Sequence, residues 1–250
     1  MTVALKKGEE VGLFACKPDL ERISVCVDLD VPHTNCDFDL SAFLLGASGK
    51  CRSSTDFIFY NNPKSPDGSV VLGEGFVGNW ETGSILINLS LVPADIQKIA
   101  FCVTIFEADE RGQSFGQMSY GYIRVVDEAD HEEMTRYDLA DEYGTETAIV
   151  FGEIYRCDSD WKFKAVGGGC SGGLESMVER FLDFEASDGS LVTPERVTGR
   201  DYFFHLGIAV VCLLGILAIA AALTIGARML DDLLHRIFDV LVTEIRGLFE

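Results

Sequence analysis

Hydrophobic and polar residues alternate with a period of two along much of the chain before residue 182, and this alternation predicts strands. The stretches ISVCVDLD, DFDLSAFLL, DFIFYNN, SILINLSL, KIAFCVTIFEA, YGYIRVVDE, TAIVFGEIYRC and WKFKAVGGG carry the pattern at fairly regular spacing. Turn-rich segments such as NNPKSPDGS and EADERGQS separate them. Many short strands with few helical patterns imply an all-β-dominated domain, a β-sandwich with short helices, over residues 1–182. Two pieces read as helical. LVPADI has Pro93 placed for a first turn, and LESMVERFLDF puts Leu174, Met177, Val178, Phe181 and Leu182 on one face. The glycine-rich GGGCSGG before it reads as a flexible or tight-turning lead into that helix.

The pattern changes after residue 182. Residues 183–201 are rich in Ser, Asp, Gly and Thr and read as a linker. Within residues 202–226 runs FFHLGIAVVCLLGILAIAAALTI, whose one ionisable side chain is His205, near its start. At about 1.5 Å per residue it reaches roughly 34 Å, enough to cross a hydrocarbon core of about 30 Å. A single transmembrane helix is expected. Residues 227–250 place Leu230, Leu233, Leu234, Ile237, Leu241, Ile245 and Leu248 at helical spacing. This amphipathic helix fits the membrane surface, a copy of itself, or a plain extension of the anchor.

Charge narrows the partners. Forty acidic against 20 basic residues give a formal net charge of −20. Such a surface repels nucleic-acid phosphates and attracts cations, so no nucleic acid is expected as a ligand. The opening MTVALKKGEEVGLF has no apolar stretch long enough for a signal peptide, and the cysteines are scattered without a CxxC pair. Free, mostly buried thiols and a cytoplasmic N-terminal domain follow as expectations. Arg196 and Arg200 balance Arg228 and Arg236 across the span, so basic residues do not fix its orientation.

Oxygen-bearing side chains cluster between Asp28 and Glu81. Asp28 and Asp30 close one strand. Asp37 and Asp39 open the next and share a face. Asn61 and Asn62 end DFIFYNN, Asp67 lies in a DGS turn, and Glu74 and Glu81 follow in a glycine-rich loop. Hard oxygen ligands on strand ends suit Ca²⁺, although the spacing is not that of an EF-hand. Turn chemistry accounts for Asp and Asn in such loops equally well. Catalysis has weaker support. His33 and His131 have no nucleophile at a recognisable spacing, and neither GxSxG nor GxxxxGK[ST] occurs. Scattered thiols also give little support to a cysteine enzyme acting on a metal oxyanion.

The motifs DFDLSAFLL, DFIFYNN, SPDGSV, VPADIQKIAFCVTI, RGQSFGQM, IRVVDE, RYDLADEYGTETAIVFGEIYR and WKFKAVGGG, with the opening LKKGEEVGL, occur in one order from Thr2 to about Phe181. In that order they resemble the TerD family of bacterial tellurite-resistance and stress-response proteins. The resemblance implies a β-sandwich that binds Ca²⁺ and has no established catalytic activity. It also implies Asp28, Asp37, Asp39, Asn61, Asn62 and Asp67 as candidate ligands. The family's next loop, longer and aspartate-rich, is shortened here to GEGFVGNWETGS, with Glu74 and Glu81-Thr82 in place of aspartates. The expectation is a membrane-anchored, non-enzymatic Ca²⁺ module that docks partner proteins of a stress-response system. The alternative is a scaffold of the same fold with degraded metal sites.

Overall fold

The computed structural model describes residues 2–30, 36–73, 83–139, 143–158 and 160–182. These residues build two six-stranded sheets. In chain order the strands are β1 (Val3–Leu5), β2 (Glu10–Gly12), β3 (Arg22–Asp30), β4 (Phe38–Leu45), β5 (Phe57–Ile58), β6 (Val70–Leu72), β7 (Gly83–Asn88), β8 (Lys98–Ile105), β9 (Tyr120–Asp127), β10 (Glu133–Asp138), β11 (Ala148–Cys157) and β12 (Asp160–Cys170). The first sheet has the order β1-β10-β9-β3-β7-β6 and the second β2-β12-β11-β8-β4-β5. The β1–β10 pairing is parallel; every other strand pairing is antiparallel.

Alternation decides which face each strand buries. Ile23, Val25, Val27 and Leu29 of β3 join Leu40, Ala42 and Leu44 of β4 in one core cluster, with Phe101, Ile123, Ile149 and Phe163. That cluster draws on both sheets, so they pack face to face as a sandwich. The opposite face of the second sheet carries Phe43, Leu45, Phe57, Ala100, Cys102 and Val150. A helix, α3 (Gly173–Phe181), covers it with Met177 and Phe181, while Leu174, Val178 and Leu182 pack alongside. Phe43 stacks on Phe57 with ring centroids 4.5 Å apart and meets Phe181 at a tilt with centroids 4.9 Å apart.

The helix expected from LESMVERFLDF is therefore present, on the predicted face. LVPADI is not a helix but a run of turns. The Arg156 guanidinium donates to the carbonyls of Val92, Pro93 and Ile96, so those groups are satisfied without a helical ladder. Nor does GGGCSGG form only a lead-in, since Gly167–Gly169 belong to β12. Gly167 adopts φ +58° where the β11–β12 register shifts, a β-bulge that favours glycine. Two further helices are single turns, α1 (Leu13–Cys16) and α2 (Ala108–Arg111).

Among the described residues no helix is long and apolar enough to cross a membrane. The predicted linker, anchor and amphipathic tail, residues 183–250, lie outside those residues.

Candidate metal centre

The carboxylates singled out from the sequence are distributed over two faces and two ends of the sandwich. Odd-numbered residues of β3 point into the shared core, which leaves Ser24, Cys26, Asp28 and Asp30 on the outer face of the first sheet. In β4 the even-numbered residues point inward, so Asp39 lies with Ser41, Phe43 and Leu45 on the outer face of the second sheet. Asp28 and Asp39 thus share an end of the sandwich but face away from each other. The close approach of Gly83 to Leu40 fixes that common end: a Cβ at Gly83 would stand 3.1 Å from Leu40 Cδ2. Asp37 precedes β4, and its carbonyl accepts a hydrogen bond from the Phe106 amide at 2.9 Å.

The remaining candidates divide similarly. Asn61 is exposed in the tight turn between Phe59 and Asn62, toward the Asp39 end of β4. Asn62 is engaged structurally: its Nδ2 donates to the Phe57 carbonyl at 2.7 Å and the Thr55 carbonyl at 3.2 Å. Asp67 lies at the opposite end, where β6 pairs Val70 with Ile87 and the Asn88 amide donates to the Ser69 carbonyl. Its carboxylate closes the DGS turn, accepting from the Ser69 amide at 2.7 Å and the Ser65 hydroxyl at 3.0 Å. Burial opposes ionisation of Asp67, but the bonds from Ser69 and Ser65 outweigh it and hold the carboxyl below its usual range. Glu74 and Glu81 lie outside the described residues. The chain rejoins them at Gly83, which pairs with Val27, one residue from Asp28.

Asp28 differs from the others in burial. It is only 5% exposed, and Tyr120 Oη donates to its Oδ2 at 3.1 Å. No lysine or arginine pairs with it among the described residues. Beside it, Asp30 Oδ2 accepts from Ser119 Oγ at 2.5 Å. The pairing of β3 with β9 sets this group: Asp28 opposes Tyr122 and Asp30 opposes Tyr120, so Tyr120 reaches Asp28 on the diagonal. Burial, then the bond to Asp28 and the nearby charge of Asp30, raises the Tyr120 phenol above its usual value. The Arg136 guanidinium stacks on the Tyr122 ring, 3.7 Å from its centroid, and pairs with Asp138 at 2.7 Å.

Asp30 belongs to the oxygen-bearing cluster read from the sequence but not to the ligands the family resemblance implies, and Ser119 and Tyr120 belong to neither. The i, i+2 spacing in VDLD places Asp28 and Asp30 on one face, and YGY does the same for its two tyrosines. Only the β3–β9 pairing brings those two faces together.

Whether this group fits Ca²⁺ turns on the buried carboxylate. Moving an ionised carboxylate out of water costs several kcal/mol unless it is paired, and a phenol hydrogen bond compensates only part of that. The residues fit as the nucleus of a cation site, with two carboxylates and two hydroxyl oxygens gathered on one face. They are fewer than the roughly six to eight oxygens Ca²⁺ takes. Among the described residues no group of three or more acidic, cysteine or histidine side chains is placed to hold a metal.

Thiol chemistry has little support. The seven described cysteines are not joined in disulfides; Cys26 and Cys102 are buried, Cys16 is exposed and the other four are half-buried. Burial pushes the Cys51 thiol up to about 12 and raises that of Cys102 as well, the opposite of what a thiolate nucleophile needs.

Fold and site together define a two-layer all-β domain with an acidic outer face near one end. The TerD domain model matches residues 1–181, and the chain belongs to that family. General stress protein 16U of Bacillus subtilis (strain 168) is 46% identical over 185 residues, spanning 71% of this chain and 96% of that protein. Tellurium resistance protein TerD of Alcaligenes sp. is 45% identical over 190 residues, spanning 72% and 97%. Among solved structures, a homologue of telluride resistance protein (TerD) from Streptomyces coelicolor A3(2) superposes with a TM-score of 0.50 at 17% identity. It covers 66% of this chain and 99% of that one, a likeness of fold alone. The chain is thus a TerD-domain protein related to tellurium-resistance and stress proteins.

Proposed function

We propose that this chain is a non-enzymatic, Ca²⁺-binding module of a stress-response or tellurium-resistance system, which docks partner proteins at a membrane. The observation that carries the reading is Asp28, a nearly fully buried carboxylate with no cationic side chain paired to it among the described residues. Asp28 and Asp30 hold the ion from the end of β3. Glu74 and Glu81, the further acidic candidates of the sequence, lie outside the described residues. A bound divalent cation supplies the positive charge that two adjacent carboxylates on a chain of net charge −20 lack. The surface around them is then presented to a protein partner. The excess of acidic residues argues against nucleic acid in that role. Membrane attachment rests on the apolar run within residues 202–226, with the described domain on the cytoplasmic side.

Titration of the full-length chain with Ca²⁺, followed by calorimetry and melting temperature, tests the reading. Saturable heat and a rise in melting temperature are expected, both lost in Asp28→Asn. Neither heat nor a shift at millimolar Ca²⁺ would remove the calcium reading.

A second reading, a scaffold with degraded metal sites, is favoured by Asp39 lying on the outer face of the second sheet, away from Asp28, and by Asp67 and Asn62 being engaged in their own turns. Under it, capture of partner proteins is indifferent to chelator and to Asp28→Asn.

A further inference from the structure

The outer face of the first sheet repeats one arrangement along β9. Each of its two tyrosines has an aspartate directly opposite on a neighbouring strand, Asp138 of β10 for Tyr122 and Asp30 of β3 for Tyr120. The alternation of side chains puts all four on that face. The first pair is complete. Arg136 lies on the Tyr122 ring, 3.7 Å from its centroid, and bridges to Asp138 Oδ1 at 2.7 Å. A guanidinium is planar and always charged, so it stacks on a ring and binds a carboxylate at once.

The second pair has the same ring and carboxylate but no arginine among the described residues. The Tyr120 ring is open to solvent, at 47% exposure. Asp30 lends Oδ2 to the Ser119 hydroxyl, and neither it nor Asp28 pairs with a lysine or arginine among the described residues. Asp28 is 95% withdrawn from water, being 5% exposed, and accepts from the Tyr120 phenol alone among those side chains. A buried carboxylate without a counter-charge is costly, so this face calls for a cation. Two carboxylates offer too few oxygens for Ca²⁺, whereas two carboxylates beside an aromatic ring match a single guanidinium.

We propose that Tyr120, Asp30 and Asp28 form a receptor for an arginine side chain of a partner protein. The guanidinium stacks on the Tyr120 ring, forks onto Asp30 and supplies the counter-charge that Asp28 lacks, as Arg136 does for Tyr122 and Asp138. This rests on the scaffold reading given above, in which no metal occupies Asp28. It adds the chemistry of the docking surface: a partner that presents an exposed arginine, which like tyrosine is enriched at the energetic centre of interfaces. Lysine fits less well, since its compact ammonium does not fork onto a carboxylate.

The test titrates the full-length chain in chelator, at fixed ionic strength, with the blocked tripeptide acetyl-Gly-Arg-Gly-amide. Tyrosine ring resonances are the readout, and that of Tyr120 is identified by its loss in Tyr120→Phe. Saturable movement of that ring is expected, with a Kd on the order of 1 mM. The lysine peptide should bind about fivefold more weakly or worse, and the uncharged citrulline peptide should not bind. Asp30→Asn, which keeps an acceptor for Ser119, should weaken the arginine peptide about tenfold. A lysine peptide that binds equally well, or arginine binding that survives Asp30→Asn, reduces the effect to the general pull of a chain with net charge −20 and overturns the receptor. No movement of the Tyr120 ring overturns it too and leaves the scaffold reading standing. Saturable Ca²⁺ binding that is lost in Asp28→Asn, measured separately, removes the scaffold reading and the receptor with it.

Discussion

Among the described residues Asp28, Asp56 and Asp127 are almost completely buried; Asp127 pairs with Lys17, and the other two are treated in opposite ways. Asp56, 1% exposed, accepts from Arg52 Nε and Nη2 at 2.8 Å and from the Arg52 amide at 3.1 Å. Asp28, at 5%, has the Tyr120 phenol. The first is part of a completed ion pair; the second has no cationic side chain paired with it among the described residues. Substitution should separate them. Arg52→Ala strands the Asp56 carboxylate, and a loss of about 3 kcal/mol is expected in chemical denaturation, the low end for breaking a buried pair because Arg52 is itself partly solvated. Asp28→Asn removes a buried charge but keeps an oxygen for Tyr120 to donate to. In chelator it should raise the melting temperature; a fall would mean that the charge of Asp28 is already compensated in the free protein.

At the scale of elements, the β3–β9 pairing assembles the site, and one glycine makes the pairing possible. Gly121 lies between Tyr120 and Tyr122 on the inward face, opposite Leu29. A Cβ there would stand 2.7 Å from Leu29 Cδ2, 2.9 Å from Met118 Sδ and 3.0 Å from Leu139 Cδ1. Those side chains have some room to shift, so Gly121→Ala should cost about 1–3 kcal/mol by overpacking. The loss is read from a chemical denaturation curve of the variant beside that of the wild-type chain. Inward and outward faces are legible in the residue pattern itself, because Val25-Cys26-Val27-Asp28-Leu29-Asp30 alternates strictly. So is the packed face of α3, whose five predicted contacts all join the outer cluster of the second sheet. What alternation cannot supply is which strand lies beside which. Asp28 and Asp39 share a sequence neighbourhood yet belong to different sheets, and Tyr120 is 92 residues from Asp28. Short elements are hidden for a different reason. β1, β2 and β6 have three residues each, too few for a period to register, and LVPADI reads as helical because the partner of its carbonyls, Arg156, is remote in sequence.

For the whole molecule, a net charge of −20 sets two electrostatic effects against each other. Mutual repulsion among carboxylates favours protonation in the compact state and would make acid stabilising. Local partners act the other way, and they prevail at several sites. Lys17 holds Asp130 below the usual carboxylate range, Arg52 does the same for Asp95, and Tyr155 with Lys162 for Glu10. Asp67 is held down by its own turn. A carboxyl with a lower pKa in the folded state stabilises the fold above its unfolded value, near 4, and loses that contribution as pH falls through the folded value. In that window the unfolded chain binds more protons than the folded one. The melting temperature of the full-length chain in chelator should therefore be nearly level from pH 7 to about pH 5 and drop progressively below about pH 4. All four groups are at least partly in water, so the drop should be shallower in high salt, where the Debye length shrinks to about 3 Å at 1 M. A melting temperature that instead rises below pH 4 would show that repulsion over the whole surface outweighs these pairs. In that case cations would stabilise the protein by general screening, and monovalent salt at matched ionic strength would do the work of Ca²⁺.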